Sequence, residues 1–269
     1  MSLIRFDNVS FRYEEMKEDA ISGVSLSIER GECIALLGEN GSGKTTLTKH
    51  INGLVKPYEG TVCVDGMPTT KRTIAELAHT VGYVFQNPDH MIFADTVEEE
   101  VAFGPQNLGM DKETVTRRVD EILAFTRLDR YKETHPMSLS GGEKQRLAVA
   151  SVIVSDPSIL ILDEPTTGLD YKSVIDMVDL IHRLRERGHT IILVTHDMSL
   201  VVQVAERVVL MKGGTILADG EVHEIFAQED VLAQTYLEQP YAMKLSTLLG
   251  RGPCLTPEEF YSSYAGEEP

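Results

Sequence analysis

CIALLGENGSGKTTLTKHI, residues 33 to 51, decides the fold. Its first part, CIALLG at 33–38, is a continuous apolar run of the kind found in strands covered on both faces. The next part, GENGSGKT at 38–45, satisfies G-x-x-x-x-G-K-[ST], and the Thr-, Leu- and Ile-rich stretch behind it reads as a helix. Strand, glycine-rich loop and helix in that order turn backbone N–H groups and the positive end of a helix dipole toward one place. A phosphate chain fits there. Lys44 is placed to reach the β- and γ-phosphates, and the Thr45 hydroxyl to ligate Mg²⁺.

Working outward, three more segments have the same fully buried look: VGYVFQ at 81–86, ILILDE at 159–164 and TIILVTH at 190–196. Between the last two, Val174, Val178, Ile181 and Leu184 predict one apolar helix face, ended by Gly188. Buried strands alternating with amphipathic helices mean an α/β protein with a mostly parallel sheet. Upstream, Ile4, Phe6, Phe11 and Tyr13 flank polar residues, and Val24, Leu26 and Ile28 alternate with serines. That period of two predicts a flanking antiparallel sheet with one buried face. Residues 96–155 show helical spacing (Val115, Val119, Ile122, Leu123) without a strand signal, and RVVLMKGGTILADG predicts a hairpin turning at Gly213-Gly214. From Phe226 onward the chain carries seven acids and two bases around apolar helical pieces, an appendage too small to fold alone.

Polar groups gather at the ends of the buried strands, where ligands sit in open α/β sheets. ILILDE ends in Asp163, placed for a Mg²⁺ shell, and Glu164, placed to polarise an attacking water. TIILVTH ends in His196 and VGYVFQ in Gln86, whose amide can bind Mg²⁺ and sense a nucleotide. LSGGEKQR at 139–146 lacks the GK[ST] ending of a second phosphate loop, yet Ser140, Gly141 and Gly142 make another helix N-terminus suited to an anion.

Composition narrows the function classes. The 269 residues carry a net charge of −17, which opposes binding to nucleic acid backbones. No window approaches the ~20 apolar residues of a spanning helix, and the start lacks a basic, then apolar, leader, so the chain is expected neither to cross a membrane nor to be exported. Cys33, Cys63 and Cys254 are widely spaced without metal-site partners and read as reduced thiols.

GENGSGKTT, Gln86, LSGGE, LILDEP, TTGLD at 166–170 and His196, in that order, resemble the ATP-binding cassette (ABC) ATPases over residues 1 to 220. GYVFQNPDHMIFADTVEEEVAFGPQNLGM and the C-terminal LTPEEF resemble more narrowly the ATPases of energy-coupling factor (ECF) transporters, including the cobalt and nickel importer type. The resemblance implies an ABC ATPase domain over 1–220, with a helical subdomain at about 96–155, and a small dimerising C-terminal domain over 221–269.

It also implies roles. Tyr13 would stack on adenine; Gly38, Glu39, Asn40, Gly41, Ser42, Gly43, Lys44, Thr45 and Thr46 would hold the phosphates of ATP; Thr45, Gln86 and Asp163 would hold Mg²⁺. Glu164, His196, Gln86 and Lys44 would carry catalysis. Ser140, Gly141, Gly142 and Asp170 would meet ATP bound to a second ATPase subunit, a copy of this chain or a related one. Glu143 stands where many cassettes have Gln. The implied activity is ATP hydrolysis driving uptake of a vitamin or transition-metal ion through a transmembrane T component and a substrate-binding S component, from the cytoplasmic face of the membrane. A soluble ABC ATPase of DNA repair or translation is the competing reading; the long coiled-coil insert of the first and the fused second cassette of the other are both missing from these residues. A GTPase would need N-K-x-D where this chain has VTHD.

Overall fold

The computed structural model describes residues 2–265. Four strands, β1 (Ile4–Phe11), β2 (Ile21–Ile28), β4 (Glu59–Val64) and β5 (Met67–Pro68), pair antiparallel in the order β2-β1-β4-β5. Burial in β2 falls on Ile21, Val24, Leu26 and Ile28, as alternation with serines requires. A second sheet holds β3 (Cys33–Leu37), β6 (Val81–Val84), β7 (Ile159–Asp163), β8 (Thr190–Val194), β9 (Arg207–Lys212) and β10 (Thr215–Glu221) in the order β10-β9-β3-β8-β7-β6. Its strands run parallel except β10, which returns from β9 through the Gly213-Gly214 turn.

The central strands β3, β7 and β8 are covered on both faces, which is why they read as unbroken apolar runs. Cys33, Ala35 and Leu37 of β3, Leu160 and Leu162 of β7, and Ile191 and Leu193 of β8 belong to one buried cluster. Their alternates, Ile34, Leu36, Ile159, Ile161, Ile192 and Val194, belong to another, shared with β1, β2 and β4 and with Leu47 and Ile51 of helix α1 (Lys44–Ile51).

The first cluster is closed by helices. After α2 (Ile74–Ala78), the 96–155 segment supplies α3 (Val97–Asn107), α4 (Lys112–Phe125) and α5 (Gly141–Ile153), with no strand. Then come α6 (Tyr171–Glu186), α7 (Met198–Val204), α8 (Val222–Phe226), α9 (Glu229–Ala233), α10 (Tyr241–Leu248) and α11 (Pro257–Ala265). Val222, Phe226, Leu232, Met243 and Leu255 of the C-terminal stretch belong to this same cluster.

The expected face of α6 is corrected in part. Ile181 and Leu184 are buried, but Val174 and Val178 are only half-buried, and Met177 and Leu180 complete the buried stripe at i, i+3, i+4 and i+7. The helix ends as expected, with Gly188 at φ +89 just beyond Arg187. The three parallel strands also stop earlier than their apolar runs suggest, at Val84, Asp163 and Val194. The residues beyond those ends build the site.

Candidate active site

β3 delivers its chain into the loop at 38–43 between β8 and β9, and two glycines there have steric reasons. Gly38, at φ +141, has no room for a Cβ against the Met211 carbonyl. Gly43, at φ +102, would set a Cβ 2.7 Å from the Ala20 carbonyl oxygen. The loop thus curls against β9 and the β1–β2 connection, and α1 starts at its end. Lys44 Nζ donates to the carbonyls of Gly38 (2.7 Å) and Glu39 (2.9 Å). Burial lowers the Lys44 pKa, while the nearby carboxylates of Glu164, Asp163 and Glu39 pull it back up.

The neighbouring strand tips bring the acids. Burial raises the Asp163 pKa and the charge of Glu164 adds to it; the Tyr83 hydroxyl, which donates to Asp163 Oδ2 at 3.0 Å, and the Lys44 charge oppose the rise. Tyr83 itself stands 3.3 Å from the hydroxyl of buried Thr48 on α1, so a line of polar groups ties α1, β6 and β7 together behind the cleft. Glu164 has φ +49, a left-handed conformation that a non-glycine residue adopts at a cost, and its N–H donates to the Val194 carbonyl at 2.7 Å. Its carboxylate is gripped from three sides: His196 Nδ1 lies 2.7 Å from Oε1, and the hydroxyls of Thr195 and Thr167 donate to Oε2 at 3.2 Å each. A carboxylate fixed in this way is pre-aimed, as a group that must orient a water requires.

These groups share one cleft of about 760 Å³, bordered by Tyr13, Gly38, Glu39, Asn40, Gly41, Gly43, Lys44, Thr45, Thr46, Gln86, Asp163, Glu164 and His196. That volume suits a nucleotide. Tyr13 packs edge-on to Phe11 and its hydroxyl lies 3.2 Å from the Thr46 hydroxyl. Ser42 does not border the cleft: its side chain is buried and its hydroxyl has no hydrogen-bond partner among the described residues. The Thr45 hydroxyl, Gln86 amide and Asp163 carboxylate are hard oxygen donors, and they fit Mg²⁺ completed by phosphate oxygens. Among the described residues no three His, Cys, Asp or Glu side chains are grouped to hold a metal by themselves.

Ser140 and Asp170 lie in a different cleft, with Arg130, Arg146 and Lys172. Ser140 caps α5 reciprocally: its N–H and hydroxyl donate to Glu143 Oε2 at 2.9 and 2.7 Å, and its Oγ accepts from the Glu143 N–H at 3.4 Å. Burial would raise the Glu143 pKa, but the Tyr131 hydroxyl, both Ser140 donors and the Arg146 charge hold it down at about 2. Asp170 caps α6 by accepting from the Ser173 N–H at 2.8 Å, which lowers its own pKa. Gly142 lies where α5 meets α6, and a Cβ there would stand 2.6 Å from Ser173 Cβ. One chain therefore brings together a phosphate loop and acids in one cleft and leaves its serine-glycine loop outside it.

The sequence reading missed Thr167 and Thr195 as holders of Glu164 and Tyr83 as a holder of Asp163. A hydroxyl-bearing ring inside the otherwise apolar VGYVF run was the available signal for Tyr83.

A family model described as ABC transporter matches residues 21–167, more than half of the chain. The chain belongs to the ABC transporter family. It is 46% identical over 249 residues, 93% of its length, to a putative ABC transporter ATP-binding protein of Caldanaerobacter subterraneus, of which the match spans 44%. It is 45% identical over 257 residues to a putative ABC transporter ATP-binding protein of Pyrococcus furiosus, covering 96% of this chain and 97% of that protein. An energy-coupling factor transporter ATP-binding protein, EcfA1, of Methanospirillum hungatei is 46% identical over 87% of this chain and 85% of its own length. Among solved structures, CbiO1 of Clostridium perfringens, part of the ABC transporter complex CbiONQ, superposes with a TM-score of 0.80 at 33% identity, over 93% of this chain and 99% of that one. The chain is an ABC ATPase, an ATP-binding subunit of the ECF type whose hydrolysis of ATP is coupled to transport. Among the described residues no helix is long and apolar enough to cross a membrane.

Proposed function

We propose that two copies of this chain, or one copy and a related ATPase, close head to tail on two ATP molecules and drive import through separate membrane subunits. The observation that carries the reading is the separation of the two clefts: Lys44, Asp163 and Glu164 border one, and Ser140 and Asp170 the other. A site missing its serine-glycine loop is completed when a second chain presents that loop. A solved ABC cassette, MJ0796, described as a dimer bound to ADP and Pi after hydrolysis, resembles this chain with a TM-score of 0.72 at 31% identity, over 81% of this chain and 98% of that one.

In this reading Lys44 leaves the loop carbonyls it now meets and spreads charge from the β- and γ-phosphates, while Glu164, held by His196, Thr195 and Thr167, orients the attacking water. Thr45, Gln86 and Asp163 would hold Mg²⁺, which would supply positive charge to the phosphates. Tyr13 takes the adenine, and the N–H groups around Gly41 and Gly43 take the phosphates. Ser140, Gly141 and Gly142 of each chain contact the other's γ-phosphate, with Asp170 at the seam, so loss of that phosphate releases the clamp. The 1–220 region would act as the ATPase domain, 96–155 as its helical subdomain, and 221–269 as a dimerising extension.

The membrane partner fits a groove on the helical region. Phe93 and Phe103 pack edge-to-face at 4.6 Å although they are 63% and 47% exposed, and Asp95, Glu98 and Glu99 border the same groove. An exposed aromatic pair beside acids suits an amphipathic helix with basic residues, such as a cytoplasmic loop of a T component. The cargo, a vitamin or a cobalt or nickel ion, would be bound by an S component, and the chain would sit peripherally on the cytoplasmic face. The soluble DNA-repair or translation alternative draws no support from relatives named as transporter subunits.

Isolation of the tagged chain from its native membranes tests this. A multispanning protein should come with it, and Phe103→Asp should lose that protein while still binding ATP. Recovery of the chain without any integral membrane subunit would refute the proposal.

A further inference from the structure

The nucleotide cleft has a wall that the family motifs do not supply. Besides the phosphate loop and strand tips, Thr235, Tyr236 and Leu237, from the turn between α9 and α10, border it. This turn is anchored. Thr235 is buried and its hydroxyl donates to the Leu232 carbonyl at 2.8 Å, the Leu237 N–H donates to the same carbonyl at 3.3 Å, and Leu232 is part of the first core cluster. On the far side, Gln239 Nε2 donates to the Phe226 carbonyl at 2.8 Å.

On that anchored turn Tyr236 stands apart. Its backbone is left-handed, φ +56, a conformation that suits glycine and costs an aromatic residue stability. Its side chain is 83% exposed, so burial returns nothing for that cost. The Leu237 and Tyr236 N–H bonds to the Leu232 and Ala233 carbonyls end α9 in this left-handed turn, and they leave an unburied ring at the lip of a ligand cleft, placed to meet a ligand.

The chemistry of the cleft says which part of a ligand that partner is. Lys44, Thr45, Gln86, Asp163, Glu164 and His196 are polar and suit the phosphates. The large apolar side chains on the border are Tyr13, Met16, Tyr236 and Leu237, and such groups offer a base the surface to stack on. We infer that Tyr236 is a second aromatic contact to the nucleotide base, so that the C-terminal stretch closes part of the ATP pocket of its own chain. The inference rests on the assignment of this cleft to ATP. It gives the C-terminal stretch a direct report of nucleotide occupancy, carried by the turn to Leu232.

The test compares two probes on the full chain, MgATP and magnesium tripolyphosphate, which lacks base and sugar, by isothermal titration. Tyr236→Gly removes the ring from a position whose backbone already suits glycine, so the variant should melt no lower than the parent. It should bind MgATP about five- to 160-fold more weakly, the ratio one aromatic–base stack contributes, and bind tripolyphosphate as the parent does. Tyr236→Phe should keep MgATP affinity. If Tyr236→Gly binds MgATP as tightly as the parent, or loses both probes equally, Tyr236 does not contact the base. If the parent itself binds neither probe, the assignment of the cleft to ATP fails first.

Discussion

Replacing Gly142 with alanine tests how the serine-glycine loop is seated. The new Cβ would stand 2.6 Å from Ser173 Cβ, and a rotamer change at Ser173 cannot relieve a contact made by its own Cβ. Reaching ordinary van der Waals separation needs α5 and α6 to part by about 1 Å. Overpacking of this kind costs up to about 3 kcal/mol, and the better helix propensity of alanine returns about 1 kcal/mol. The net loss is about 2 kcal/mol, a fall in Tm of about 4–8 °C for a chain of this size. Ser173→Gly supplies the rescue. It removes both offending atoms and leaves Ser173 Cα at 3.7 Å, an ordinary contact, while the N–H that donates to Asp170 stays. Urea unfolding of the parent, both single variants and the double variant measures the coupling, which should be favourable and up to about 3 kcal/mol, the whole of the relieved clash. Gly142→Ala as stable as the parent, or a double variant no better than the sum of the singles, would refute the argument from close helix approach.

Two further outcomes follow from polar groups inside the fold. Tyr83→Phe removes a hydrogen bond to the Asp163 carboxylate, worth about 1.5–3 kcal/mol in a site of this kind, so urea unfolding near neutral pH should show a loss of that order; no loss would mean the contact is idle. His50 is buried between Phe6 and Phe11, and burial lowers its pKa from 6.5 although its contact with the Thr46 carbonyl works the other way. The unfolded chain therefore binds a proton on His50 more readily than the folded one, and the stability involved is present above pH 6.5 and lost as pH falls below it. His50→Gln should flatten the fall of Tm as pH drops below 6.5; an unchanged slope would contradict this.

The parts of this molecule that are local in sequence were legible in it. Strand, glycine loop and helix at 33–51 occupy consecutive residues, and the both-faces burial of β3, β7 and β8 is written as unbroken apolar runs. The acids and His196 could be assigned to one edge because parallel strands put their ends on the same side. What stayed hidden depends on distant residues meeting. Tyr83 reaches Asp163 across 80 positions, and Thr195 reaches Glu164 across 31, contacts set by the strand order β8-β7-β6. On α6 apolar residues at 174, 175, 177 and 178 offered two adjacent stripes, and the core built with the neighbouring helices and sheet selects the one through Met177. Ser42 shows another limit, since a motif names the residues of a loop without saying which of them turn inward.

The central claim is that Glu164, held by His196 and two threonines, directs water at ATP clamped between two chains. ATP turnover and mass in solution, measured together on the parent and Glu164→Gln, test it most directly. The variant should bind MgATP, persist as an ATP-dependent dimer, and turn over about 10²–10⁴-fold more slowly. Turnover by Glu164→Gln at the parent rate, or full-rate hydrolysis by a chain that stays monomeric, would contradict it.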